Sequence, residues 1–232
     1  FQFATGKGMA DSNPAILLKV SRPDGAKVKH HAAIVEIARF GALLRAIDAY
    51  TGDVRTRLAL QLCALTAARP GEMRKAEWAE FDLEKALWEV PAERMKQRVA
   101  HATPLARQSV TLLRELQALT GNSQLLFPTA REASRPVSDN TWTMALRRLG
   151  FTAEEMTVHG FRTSFSSMAN EADLWSPDAI ERHLSHRDSD TIRGTYARSP
   201  YWSERERLAQ WWADRCDLMR HGADVVPLRR GA

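Results

Sequence analysis

Apolar residues recur at three- and four-residue spacing along much of the chain. From Ile34 the set Ile34, Ile37, Ala38, Leu43, Leu44 and Ile47 predicts a helix ending near Thr51-Gly52. A second helix, Arg55 to Ala67, carries Leu58, Leu62 and Leu65 and is apolar enough to lie at the centre of a core. Pro70 cannot continue that helix but suits the first turn of a new one, so Arg69 falls at a helix junction.

After Trp78 the period shortens. Residues 80–91 read as two short strands around an acidic turn, and Ala100 to Leu105 supplies a third. The link between the second and third strands, Glu93-Arg94-Met95-Lys96-Gln97-Arg98, is basic and reads as exposed. Arg107 to Leu119 is an amphipathic helix closed by Thr120-Gly121-Asn122. Leu125 to Pro128 is a short buried stretch, and Arg131 to Pro136 is a basic loop. Ser138-Asp139-Asn140 then caps a helix through Leu149, ended by Gly150. Further helices are predicted at 160–172, at 177–184 behind Ser176-Pro177, and at 189–197. The last, Ser203 to Met219, has Leu208, Trp211, Trp212 and Cys216 on one stripe. The fold class is mainly α with a small antiparallel three-stranded β-sheet.

Composition narrows the function. The 232 residues suffice for a substantial core, and a net charge of +5 with 33 Lys and Arg suggests a polyanionic partner. Two cysteines, Cys63 and Cys216, are too few for a disulfide framework or a cysteine zinc site, and they fit a reducing compartment. The strongest apolar run, Leu58 to Ala68, is shorter than a membrane span, and no basic-then-apolar leader opens the chain. The expectation is a cytoplasmic protein with no membrane partner. Because the chain opens on Phe1 without an initiator Met, it reads as a fragment of something longer. Residues 1–31 mix glycine, proline and basic residues and read as the tail of a preceding domain plus a basic linker. Residues 32–220 form the main domain and 221–232 a tail.

One stretch carries candidate chemistry. In Thr157-Val158-His159-Gly160-Phe161-Arg162 an imidazole and a guanidinium stand three residues apart. On a helix starting near Gly160 they share a face at its N-terminal end, where the dipole favours an anion: a seat for a phosphate. In chain order the unusual residues are Arg69, Glu72, Lys96, His159, Arg162, His186 and Tyr196.

In that order they resemble the tyrosine recombinases, phage and genomic-island integrases in particular. The resemblance runs from Ala68-Arg69-Pro70-Gly71-Glu72 through Glu93-Arg94-Met95-Lys96 and His159-Gly160-Phe161-Arg162 to Leu184-Ser185-His186. Tyr196 follows ten residues later, and the whole covers roughly residues 32–215. It implies the tyrosine recombinase catalytic-domain fold, site-specific integration or excision of a mobile element, and a missing upstream part. Tyr196 would be the nucleophile, storing phosphodiester energy in a 3′-phosphotyrosine bond. Arg69 and Arg162 would offer paired forks to the non-bridging oxygens, with Glu72 orienting the first. Lys96 would protonate the leaving 5′ oxygen, His159 would assist proton transfer at the tyrosine, and His186 would hydrogen-bond a phosphate oxygen. Tyr50 and Tyr201 compete for the nucleophile's role, but Tyr50 ends a core helix and Tyr201, after Ser199-Pro200, falls outside the matching spacing. The implied partners are double-stranded DNA attachment sites, other copies in a homotetramer, and accessory DNA-bending or excision factors; no cofactor is implied. Lys27, Lys29, Arg131, Arg135, Arg147 and Arg148 are candidate backbone contacts.

Three other readings compete. His183 and His186 have His-x-x-His spacing and with His159 suggest a zinc site, but no cysteine or carboxylate pattern accompanies them and two arginines would repel a cation. A non-catalytic DNA-binding module would have no chemical reason to keep the full set. A type IB topoisomerase-like nicking and religating activity would use the same chemistry.

Overall fold

The computed structural model describes residues 1–14, 31–95, 98–185 and 201–222. The chain divides into two compact units, Phe1–His30 and His31–Ala232. Of the first, the described part is a short helix, α1 (Gln2–Gly6), with the Thr5 hydroxyl donating to the Phe1 carbonyl.

The second unit is built around α3 (Val54–Thr66). Asp53 caps its start through the Arg55 amide, and the helix is buried on nearly every side, from Leu58, Ala59 and Leu60 to Leu62, Cys63, Ala64 and Leu65. A helix without a polar face must be surrounded, and α3 packs on α2 (Ile37–Asp48), α5 (Arg107–Thr120), α6 (Thr141–Arg148), α7 (Gly160–Glu171) and α9 (Trp202–His221). The Trp212 indole of α9 donates to the Ala64 carbonyl at 2.8 Å, satisfying the one polar atom of a fully buried ring. Gly41 lets α2 approach the end of α9: a Cβ there would collide with the Met219 carbonyl. Cys63 and Cys216 are both buried and free, and burial pushes the Cys63 thiol up to about 12, so it is chemically quiet.

The sheet has the order β1-β2-β3, antiparallel throughout. Strands β1 (Phe81–Asp82) and β2 (Leu87–Val90) pair Phe81 with Trp88, whose rings stack at 5.2 Å. Strand β3 (His101–Pro104) pairs with β2 from Leu87↔Pro104 to Val90↔His101. The Asp82 carboxylate closes the intervening turn by accepting from the Lys85 amide and ammonium.

Four local expectations need correction. Helix α2 starts at Ile37, because the Glu36 carboxylate caps the Ala38 and Arg39 amides, and it stops at Asp48. Ile34 is buried at helical spacing but belongs to the extended lead-in. Asn140 makes no capping bond to α6; Ser138 accepts from the Asn140 amide and Asp139 pairs with Arg74 at 2.6 Å. The link after β2 is not simply solvated. Arg94, in a 3-10 turn at Ala92–Arg94, pairs with the buried Glu80 carboxylate and donates to the Glu72 carbonyl at 2.8 Å, while Glu80 also accepts from the Trp88 indole at 2.9 Å. A buried carboxylate is tolerable only when so satisfied, and the effect is to tie the hairpin to the helix that carries Glu72. The expected elements at 14–20 and 189–197 lie wholly or almost wholly outside the described residues. No described helix is long and apolar enough to cross a membrane.

Candidate active site

Arg69 precedes α4 (Pro70–Arg74), where Pro70 occupies the first turn as its fixed φ allows. Its guanidinium donates to Glu72 Oε1 at 2.9 Å and to the Ser185 carbonyl at 2.6 Å. Glu72 sits one turn into α4 because the spacing i,i+3 faces it back to Arg69.

Arg162, in the first turn of α7, is only 4 % exposed. It does not lie on a solvated face: Nη1 donates to the Ala67 carbonyl and Nη2 to the Leu184 carbonyl, both at 2.6 Å. Burial, then the neighbouring positive charge of Arg69, pushes Arg162 down to about 10, with Glu72 and Glu181 pulling the other way. It therefore keeps its charge at neutral pH.

The carbonyls holding the two arginines share an origin. Ala67 is the C-cap of α3 in the left-handed region at φ 49°; Leu184 is the C-cap of α8 (Pro177–His183), and Ser185 follows it at φ 54°. The last carbonyls of a helix lack intrahelical partners and carry the negative end of its dipole. Two helix C-termini thus orient two guanidiniums, and the left-handed turns at non-glycine residues are the backbone cost of aiming them.

Arg69, Pro70, Gly71, Glu72, Lys75, Glu93, Arg94 and His159 line one open cleft of about 610 Å³. His159 is the N-cap residue of α7, but its side chain makes no capping bond; its ring lies against that of His31. Arg162 lies beside this cleft's arginine without lining it. Lys75 was not singled out by the sequence. Its position three residues beyond Glu72 is the signal that places it on the same side. Lys85 is engaged by Asp82, and Arg94, which lines the cleft, is engaged by Glu80.

Lys27, Lys29, Lys96, His186 and Tyr196 lie outside the described residues. Of the candidate DNA contacts, Arg131, Arg135 and Arg148 are exposed. Arg147 is half-buried, and its guanidinium donates to the Phe151 carbonyl and, at 3.0 Å, to the Met156 carbonyl, closing the loop after α6.

His183, the inner member of the zinc alternative, is 4 % exposed and packs on Phe165 at 5.0 Å. The described residues contain no group of three or more His, Cys, Asp or Glu side chains able to hold a metal. His183 belongs instead to a buried basic cluster with His101 and Arg205, which donates to the Ala102 carbonyl. Burial, then the Arg205 guanidinium, pushes His101 down to about 3 and holds His183 well below the ordinary imidazole range. Both folded values lie below the unfolded value of about 6.5, so the unfolded chain binds more protons in acid. Their contribution is complete above about pH 6.5 and is lost progressively as pH falls below it. Urea midpoints should therefore drop between about pH 6.5 and 5, where ordinary carboxylates stay ionised, and the drop should shrink in His101→Asn. A flat profile would contradict this account.

The model of the phage integrase family matches residues 38–201, and the chain belongs to that family. The integrase of Enterobacteria phage P4 is 38% identical over 234 residues, covering 95% of this chain and 53% of that protein. Prophage integrase IntZ of Escherichia coli (strain K12) is 35% identical over 226 residues, covering 96% and 54%. The chain thus spans about half the length of these curated relatives. Among solved structures, the lambda integrase catalytic core has a TM-score of 0.51 at 19% identity, covering 68% of this chain and 96% of that one. A lambda integrase tetramer bound to a Holliday junction has a TM-score of 0.58 at 19% identity, covering 83% and 57%. The fold is that of the tyrosine recombinase catalytic domain.

Proposed function

We propose that this chain is the catalytic part of a site-specific tyrosine recombinase that cleaves and rejoins DNA to integrate or excise a mobile element. The observation that carries the reading is the pairing of Arg69 and Arg162 at the C-termini of two helices, with Glu72 and His159 on the same cleft. Charged forks fixed before DNA arrives stabilise a five-coordinate phosphorane without reorganising during the reaction.

In the proposed mechanism the Tyr196 hydroxyl attacks the scissile phosphorus. A Tyr196–phosphorus bond forms, the bond to the 5′ oxygen breaks, and the phosphate remains on the 3′ end. His159 helps take the phenolic proton, Lys96 donates one to the departing 5′ oxygen, and Arg69, Arg162 and His186 bind the non-bridging oxygens. A 5′ hydroxyl from the partner strand reverses the step and reseals the DNA. Residues 1–31 serve as the tail of a core-binding domain with a basic linker, 32–220 as the catalytic domain and 221–232 as a tail. Lys27, Lys29, Arg131, Arg135, Arg147 and Arg148 contact the phosphate backbone. The working form is a homotetramer on two attachment-site duplexes, assisted by DNA-bending or excision factors.

The test is to incubate the full chain with nicked attachment-site DNA in the presence of EDTA and resolve the products on a denaturing gel. A covalent protein–DNA adduct whose linked peptide contains Tyr196 is expected. DNA binding with no adduct would favour a binding module. Nicking and religation without exchange in a four-strand assay would favour the topoisomerase-like activity.

A further inference from the structure

We infer that His31 is a positioning residue for His159, holding its imidazole by ring contact at the cleft; the catalytic part of this inference rests on the function proposed above. The two rings lie with centroids 4.2 Å apart and planes inclined by 40°. Offset and tilted ring pairs attract one another, and at this distance the two imidazoles are in direct contact. His159 stands at the start of α7 and is partly buried, so the ring of His31 covers one side of it.

His31 is in turn held by its neighbours. The Ala32 carbonyl accepts from the Thr157 amide at 3.1 Å and from the Thr157 hydroxyl at 3.2 Å. That hydroxyl also accepts from the Gly160 amide at 3.0 Å, so one threonine joins the strap at 31–33 to the first turn of α7. The strap passes so close that a Cβ on Gly160 would collide with the Ala32 carbonyl oxygen and stand 3.1 Å from Met156 Sδ. Glycine is required there for close approach. Ile34, buried three residues on, anchors the other end. The segment entering the catalytic unit is therefore bonded to the helix carrying both His159 and Arg162, and its first side chain touches the histidine.

A residue acting only through this contact should affect the bond-breaking step and not DNA affinity. Single-turnover cleavage of the nicked substrate by His31→Ala should be slower by roughly ten- to a hundredfold, the cost of small misplacements at a reacting centre. DNA affinity and the thermal midpoint should match the parent, and His31→Phe, which keeps a ring, should restore most of the rate. Parental cleavage by His31→Ala, loss of rate accompanied by loss of DNA binding or stability, or a Phe variant as slow as the Ala variant would each overturn the assignment. A second readout needs no DNA: the His159 ring signals in histidine-labelled protein should move in His31→Ala and return toward their positions in His31→Phe. Unmoved signals overturn the ring contact. If the parent forms no adduct, the recombinase reading fails, and the labelled-histidine spectra still decide whether His31 positions His159.

Discussion

Tyr196→Phe should abolish the covalent adduct while leaving DNA binding intact. The variant lacks the hydroxyl through which the proposed ester would form, and losses on the order of 10³ or more follow removal of an enzyme nucleophile. The chain has 3 tyrosines, and the structure accounts for the other two. Tyr50 follows α2, packs on the core and covers Gly52, where any Cβ would meet its ring. Tyr201 begins α9 in the left-handed region at φ 73°, and its hydroxyl donates to Asp178 Oδ2 at 3.0 Å. That carboxylate raises the Tyr201 pKa, which disfavours the phenolate a nucleophile needs. The measurement is adduct yield on nicked DNA, with affinity measured in parallel. An adduct persisting in Tyr196→Phe would reject the assigned nucleophile.

Arg162→Lys should prove nearly as damaging, although it preserves charge. A lysine ammonium cannot span the Ala67 and Leu184 carbonyls as the planar guanidinium does, and it cannot present a fork to two phosphate oxygens. Loss of one oriented donor to a developing anion costs on the order of 10² to 10³ in rate. The buried helix-end carbonyl left without a partner adds a stability loss of about 1–3 kcal/mol. Single-turnover cleavage and urea unfolding should both register the change, with affinity for intact DNA less affected because backbone contacts elsewhere persist. Cleavage within a few-fold of the parent would remove Arg162 from the phosphate site. Arg69 differs in being partly exposed, so its replacement should affect rate more than stability.

Periodicity and punctuation decided much of the fold. The apolar run of α3, the proline after Arg69, the serine before α8 with the proline that opens it, and the change of period after Trp78 each express a local constraint. Helical spacing, proline geometry and strand alternation act within a few residues and need no partner. The same locality explains why Glu72 could be read as the orienting carboxylate for Arg69: three residues on a helix bring the two side chains together. Charge alone misled where its partners were distant. Arg94 looks solvated until Glu80, fourteen residues earlier, is brought beneath it by the hairpin.

By itself, then, the sequence determined the helical and strand elements, the central place of α3 and the order of the candidate residues, because each depends on short-range patterns. Only the tertiary structure decided how Arg162 is held, which carbonyls orient the two arginines, and that His31 lies on His159. Those relations join residues 22 to 128 positions apart in the chain, such as Arg162 with Leu184 and His31 with His159. Their physical cause is the convergence of helix ends around a shared core, which brings unpaired carbonyls and a close-passing strap to one cleft.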